Sequence, residues 1–186
     1  MIFYITMWHG IFQFRKARIL LFAILVSPLL LASCLSDTSP ALGRTYQGPI
    51  LQLTLENILT LSTIAYTEED DAVYIIRPAS DGNELVAISA RIGNHAATKV
   101  QLDINGQPSE LRMDSGRYHA LNTNQLKVLA TGFHPDKDLY VPFIRGSQEL
   151  EKDFELHGWI IFDVPKNSKL ESFKWEAGGD IIIIDL

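Results

Sequence analysis

Apolar and polar side chains alternate with a period of two over most of the chain after residue 50. Such runs occupy residues 51–55, 86–92, 100–104, 160–164 and 173–175. An extended strand points successive side chains to opposite faces, so each run is predicted to place one face in a core and the other in water. Four consecutive isoleucines at 181–184 are β-branched and favour a final strand.

Turn-forming residues separate these runs. They lie at 80–83, 93–94, 105–106, 114–116, 134–136 and 177–180. Gly, Asn, Asp and Pro at such points end strands and reverse the chain. The sequence therefore predicts an all-β domain, an antiparallel β-sandwich of about seven strands, over residues 50–186. In the strand around 160–164, Ile160 and Phe162 are predicted to face the core, with Trp159 on the opposite face.

The first 33 residues have a different pattern. A 13-residue apolar run, 19–31, follows the basic residues Arg15, Lys16 and Arg18. A basic start before a short apolar stretch is typical of a secretory signal peptide, and the run is shorter than the roughly 20 residues of a membrane span. The basic side is expected to stay in the cytoplasm.

The apolar run ends in Leu31-Ala32-Ser33-Cys34. This segment resembles the lipobox of bacterial lipoproteins, in which an aliphatic residue and two small residues precede a cysteine. The resemblance implies a diacylglycerol thioether on Cys34 and removal of residues 1–33 as a signal peptide. Residues 34–49, rich in Ser, Thr, Gly and Pro, are then predicted to be a lipidated N-terminus and flexible tether. An uncleaved signal anchor is the alternative. Residues 1–14 are apolar, whereas the region before the apolar run of a signal peptide is usually short and polar.

Charge excludes some partners. Without residues 1–33 the chain keeps 13 basic and 22 acidic residues, a net charge of −9. A domain this acidic is not expected to bind nucleic acid, nor anionic lipid headgroups through its surface. The single cysteine rules out an internal disulfide. Membrane contact is therefore expected through lipid on Cys34.

Two segments carry a second resemblance. Residues 84–94, Glu-Leu-Val-Ala-Ile-Ser-Ala-Arg-Ile-Gly-Asn, and residues 158–165, Gly-Trp-Ile-Ile-Phe-Asp-Val-Pro, are similar to core strands of telokin-like, immunoglobulin-like domains found in bacterial lipoproteins. The strand at 170–175 fits the hairpin that follows. The resemblance implies an immunoglobulin-like sandwich, but these are packing motifs and imply no activity.

Candidate chemistry is sparse. The histidines after the signal segment, at 95, 119, 134 and 157, show no metal-ligand spacing, and no nucleophile or phosphate-binding motif occurs. The acidic run Glu68, Glu69, Asp70 and Asp71 could bind calcium, although a solvated loop is the preferred interpretation. No catalytic residue, metal or cofactor is predicted.

Aromatic residues offer the one candidate contact. A sugar or peptide surface could use Tyr118, Phe133, Tyr140, Phe143, Trp159 and Trp175, but a sandwich core also needs aromatics. Trp159 is the best candidate for ligand contact because it lies opposite the predicted core face.

The expected function is a lipid-anchored binding or accessory module of the cell envelope, facing outside the cytoplasm, with an unknown protein or small-molecule ligand. An accessory subunit of an envelope transport or wall-assembly complex is the alternative, and a small hydrolase is the third.

Lipidation can be tested directly at the cysteine. Changing Cys34 to Ala removes the thiol that would carry the lipid, so incorporation of a fatty-acid analogue and maturation of the precursor should both be lost. In-gel detection of the labelled protein checks this. Equal labelling of the variant and the unchanged chain would disprove lipidation at Cys34.

Overall fold

The structure is a computed structural model that describes residues 39–68, 72–104, 108–123, 128–129 and 143–186. The strands in these ranges are β1 (Thr45–Gln47), β2 (Leu51–Leu61), β3 (Ile64–Thr67), β4 (Val73–Ile76), β5 (Asn83–Asn94), β6 (Lys99–Asp103), β7 (Ser109–Met113), β8 (Gly116–His119), β9 (Val128–Leu129), β10 (Ser147–Glu151), β11 (Glu155–Pro165), β12 (Leu170–Ala177) and β13 (Asp180–Asp185). Among the described residues, no helix is long and apolar enough to span a membrane.

The central sheet has the order β1-β2-β5-β11, and every pairing in it is antiparallel. β5 is its longest strand and pairs with β2 on one side and β11 on the other. Alternate residues on one face of β5, such as Val86 and Ile88, are buried, as are Ile160 and Phe162 of β11. The predicted core face of the strand around 160–164 is thereby confirmed.

A second sheet, β13-β12-β7-β8, and a separate ladder of β10 with β6 supply the opposing core residues. Phe173 and Trp175 of β12 are fully buried, and the rings of Phe162 and Phe173 meet edge to face with centroids 6.2 Å apart. The domain is an antiparallel β-sandwich, which confirms the predicted fold class. It has more strands than the seven expected, because β1, β3, β4, β7, β8, β9 and β10 lie outside the alternating runs of the sequence.

The central sheet is also covered on its outer face. A small sheet, β3-β4-β9, contributes to a second set of buried residues that we call the outer cluster. The outer cluster consists of Ile64, Tyr66, Ile76, Leu85, Ala87, Phe143 and Ile161. Because Leu85 and Val86 are adjacent in β5 and both are buried, this part of the sheet has no solvent-facing side.

The folded domain begins earlier than residue 50. Ala41 is buried in the main core, and β1, which pairs with β2, lies inside the segment 34–49 predicted as a tether. The amide of Gly43 also donates to the carbonyl of Leu55. β1 is only three residues long, so its alternation was too short to recognise in the sequence. The compact unit that contains the sandwich begins at Ser39.

The β12–β13 hairpin is a two-residue turn at Gly178 and Gly179, which have φ angles of 66° and 89°. Two positive φ values in succession are typical of a type I′ turn, which glycine adopts at little cost. A Cβ on Gly178 would also lie 2.8 Å from Val100 Cγ2. The turn can therefore pack against the core only because this residue has no side chain.

Asp180 follows that turn and is buried, with 2% of its surface exposed. Its Oδ2 accepts hydrogen bonds from the backbone amides of Ile50, at 2.8 Å, and Leu51. A carboxylate that accepts from backbone amides satisfies donors that would otherwise be buried without partners. Asp180 thus joins the start of β13 to the start of β2.

We expect Asp180→Ala to lower the free energy of unfolding by about 3 kcal/mol, since the buried amide of Leu51 and the partly buried amide of Ile50 lose their acceptor. Chemical denaturation followed by circular dichroism measures the change. Asp185→Ala is the matched control at the exposed end of the same strand and should cost within about 0.5 kcal/mol. Equal losses for the two variants would contradict a capping role for Asp180.

Candidate functional site

Trp159 lies on the outer face of the central sheet, at the boundary between its buried and its exposed part. Toward the C-terminal end of β11, Ile161 on the same face is buried in the outer cluster. Toward the N-terminal end, His157 on that face is exposed. Trp159 itself is partly buried and packs against the outer cluster. It therefore lies where the apolar cover ends, as expected for a residue that is not wholly part of the core.

A cleft opens beside Trp159 along the edge of β11. Its cavity volume is about 30 Å³, room for about two water molecules, and it opens to solvent. The lining residues are Ile104, Ser109, Ala120, Leu121, Asn122, Thr123, Ile144, Arg145, Trp159, Ile160 and Ile161. Apolar walls with a few polar groups are also found in small-molecule sites, but this cleft is too small to enclose a ligand and offers a surface contact instead.

Two backbone segments form the edge of this cleft. The amide of Ile144 donates to the carbonyl of Trp159 at 3.0 Å, and the amide of Leu121 donates to the carbonyl of Ile161 at 2.8 Å. These bonds hold the segments around 121 and 144 against β11. Asn122, Thr123 and Arg145 come from these segments, while Ser109, the other polar residue of the lining, belongs to β7.

Thr123 is the unusual polar residue of the cleft. It is 4% exposed, and its Oγ1 is buried without a hydrogen-bond partner among the described residues. Buried hydroxyls are normally hydrogen-bonded, because an unmet one has a desolvation cost of about 1–3 kcal/mol. The hydroxyl of Thr123 is buried behind the wall of the cleft, so a ligand in the cleft does not reach it.

Arg145 supplies the positive charge of the cleft. Its Nη1 and Nη2 donate to Oε1 of Glu68 at 3.2 and 3.3 Å, and its guanidinium carbon lies 5.9 Å from the centre of the Phe143 ring. Tyr66 packs edge to face on Phe143 with ring centroids 4.8 Å apart. Burial, together with the charge of Glu68, raises the pKa of Tyr66 to about 12.

The other candidate residues from the sequence are dispersed. Glu68 pairs with Arg145, while Glu69 to Asp71 lie outside the described residues, as do Cys34, Phe133, Tyr140 and His134. Trp175 belongs to the main core and Phe143 to the outer cluster, while Tyr118 packs partly buried against the main core. In the described ranges, no group of three His, Cys, Asp or Glu side chains could hold a metal ion.

A set of polar side chains that the sequence did not reveal lies on the uncovered part of the outer face. We call it the polar patch, and it consists of Gln52, Glu56, Ser89, Arg91, Glu155 and His157. Glu56 sits at a β-bulge, where the register of β2 against β5 shifts between Leu55 and Asn57. Bulges redirect side chains, and here the carboxylate reaches Arg91 Nη2 at 2.6 Å and His157 Nε2 at 2.8 Å.

The polar patch contains a serine, a histidine and a glutamate but not a catalytic triad. Ser89 Oγ and Glu56 Oε2 both contact the same imidazole nitrogen, His157 Nε2, at 3.4 and 2.8 Å. A triad needs the carboxylate on one ring nitrogen and the serine on the other. Ser89 is also 5% exposed, so a substrate has little access to its hydroxyl. The geometry fits an ionic network that stabilises the sheet surface.

Comparison with known proteins gives only distant likenesses. No family model matches the chain, and no curated protein does. Among solved structures, a "putative lipoprotein" of Bacillus subtilis, YcdA, has a TM-score of 0.48 at 11% identity, over 76% of this chain and 38% of that one. An uncharacterised β-sandwich protein of Clostridium difficile has a TM-score of 0.43 at 13% identity, over 76% and 89%. A conserved hypothetical protein of Bacillus anthracis has a TM-score of 0.44 at 9% identity, over 78% and 92%.

The contacts of Glu56 in the polar patch predict how the stability of the fold depends on pH. Burial alone raises the pKa of Glu56, but His157 and the hydrogen-bonded Arg91 outweigh it and hold the pKa below its usual value of 4.5. A depressed pKa stabilises the fold above about pH 4.5, and that contribution is lost as pH falls through the folded-state value. Glu56→Gln should therefore cost stability at neutral pH and progressively less below pH 4.5.

Denaturation midpoints measured from pH 7 down to pH 3 check this expectation. Glu151→Gln, an exposed substitution in β10, serves as the control and should leave the profile unchanged. If the Glu56→Gln difference stayed constant over that range, the carboxylate would not be the titrating group.

Proposed function

We propose that the chain is a lipid-anchored binding module on the outer side of a cell-envelope membrane, with no catalytic activity, and that its ligand contacts the cleft beside Trp159. Anchoring is supported by the order of basic residues, apolar run and lipobox-like segment that ends at Cys34. The telokin-like, immunoglobulin-like subtype belongs to the same proposal. It is supported by the segments at 84–94 and 158–165, which form the two adjacent strands β5 and β11.

The cleft is the observation that carries the binding role. It places the partly exposed ring of Trp159 beside apolar walls and the charged Arg145, a combination that favours contact with a ligand at the surface. The hydrolase alternative gains no support from the polar patch, since its serine is buried and its histidine uses one nitrogen for both partners. A binding module is therefore the function that these side chains favour.

The test is to identify small molecules that co-purify with the full-length chain from host membranes. Native mass spectrometry of the wild-type protein should detect a bound species that Trp159→Ala loses, because the variant removes the largest ring of the cleft. Phe154→Ala is the matched control, since Phe154 is an exposed aromatic residue that does not line the cleft. Equal recovery of the same species from all three proteins would contradict binding beside Trp159.

A further inference from the structure

We infer that two copies of the chain pair through strand β13, antiparallel and about a two-fold axis, so that their four-stranded sheets join into one continuous sheet. The inference does not depend on the proposed ligand binding, because no residue of β13 lines the cleft beside Trp159. It assigns the chain a surface for self-association, which is a free strand edge with apolar, self-complementary side chains.

β13 is the outermost strand of its sheet. Within the ranges that the structure describes, β12 is the one strand that pairs with it. Just after β13, the amide of Leu186 donates to the carbonyl of Glu171 in β12. Because the amides of a strand alternate in direction, those of Ile181, Ile183 and Asp185 point away from β12. The outward edge therefore presents backbone donors and acceptors that can pair with another strand.

The side chains of this edge are apolar although they are exposed. Ile181 and Ile183 share the outer face of the sheet, and each is 60% exposed. Edge strands are commonly protected from further pairing by a charged side chain, a proline or a bulge. Between Asp180 and Asp185, β13 has none of these, since all four residues are isoleucine and the register with β12 is regular. The edge is therefore suited to the addition of a strand.

The sequence of β13 favours a second copy of itself as that strand. Asp-Ile-Ile-Ile-Ile-Asp reads the same in both directions, so an antiparallel copy offers the same apolar centre. One register places Ile181 of each copy opposite Ile183 of the other, and both pairs can exchange their backbone hydrogen bonds. Ile182 of the two copies then lies on the two-fold axis. The same surface serves both partners, as in other two-fold dimers.

The charges beside the isoleucines are complementary in this register. In β12, Lys174 lies opposite Ile183 and Glu176 lies opposite Ile181, and these two charged side chains form an ion pair. Across the paired sheets, the row that begins at Glu176 of one copy crosses two isoleucines and ends at Lys174 of the other. A register shifted by two residues would instead bring Asp185 into the row of Glu176, which places two carboxylates near each other.

The first experiment measures the oligomeric state of the full-length chain by sedimentation velocity in a density-matched detergent. The unchanged chain should form a reversible dimer with a dissociation constant of roughly 1–100 μM, as suits a small interface. Ile183→Lys places a charge in the apolar centre and should raise that constant at least about tenfold. His119→Lys adds the same charge at an exposed position of β8, the opposite edge of the same sheet, and should leave the constant unchanged.

Cysteine cross-linking tests the register. Ile181→Cys and Ile183→Cys are each combined with Cys34→Ala, which removes the native thiol. In the inferred register, residue 181 of one copy lies opposite residue 183 of the other, with about 5.5 Å between the Cα atoms, a separation that a disulfide can bridge. A mixture of the two variants should therefore cross-link more strongly than either variant alone.

The outcomes decide the inference without reference to ligand binding. A dimer that Ile183→Lys weakens and that the mixed cysteine variants capture supports it. A chain that stays monomeric, or a dimer that Ile183→Lys leaves intact, overturns it. Assemblies larger than a dimer overturn the closed two-fold pairing, and stronger cross-linking of Ile183→Cys alone overturns the register. Matching circular dichroism spectra show that each variant is folded.

Discussion

The architecture depends on burying both faces of the central sheet. Val86 and Ile88 of β5 face the main core, while Leu85 and Ala87 face the outer cluster. A sheet with apolar side chains on both faces is stable in water only when each face is covered. The opposing sheet supplies one cover and the β3-β4-β9 sheet contributes to the other. Full burial of one leucine or isoleucine side chain contributes about 1.5–3 kcal/mol, so the outer cluster is a substantial part of the stability.

The outer face of β11 changes from buried to exposed where the outer cluster ends. Ile161, Trp159 and His157 follow one another on one face of β11, and they are buried, partly buried and exposed in that order. The apolar cover, the cleft and the polar patch thus meet within about three strand positions. The network of Glu56, Arg91 and His157 lies on the uncovered sheet surface, where all three side chains are partly exposed to solvent.

The alternating runs and the four isoleucines predicted β2, β5, β6, β11, β12 and β13 and the inner face of β11, because a period of two is a local property of the sequence. The outer cluster could not be predicted in this way, since the buried run around Leu85 does not reveal which segment covers its second face. The bulge at Glu56 is visible in the sequence pattern. Up to Leu55 the residues of β2 that face the main core have odd numbers, whereas after the bulge Ile58, an even position, packs against it. The polar patch joins side chains 33 and 68 positions apart, and the cleft is formed by irregular segments without periodicity.

The bond between Asp180 and the start of β2 has a consequence for the order of folding. It joins residues 130 positions apart, and the Gly178 turn that precedes it packs on Val100 and Leu51. The first long strand of the sandwich therefore has its start capped only when β13 is in place. Contacts of such long sequence separation slow folding, because a large loop must close before they form. The cap on the start of β2 is therefore expected to form late in folding, once β13 has paired with β12.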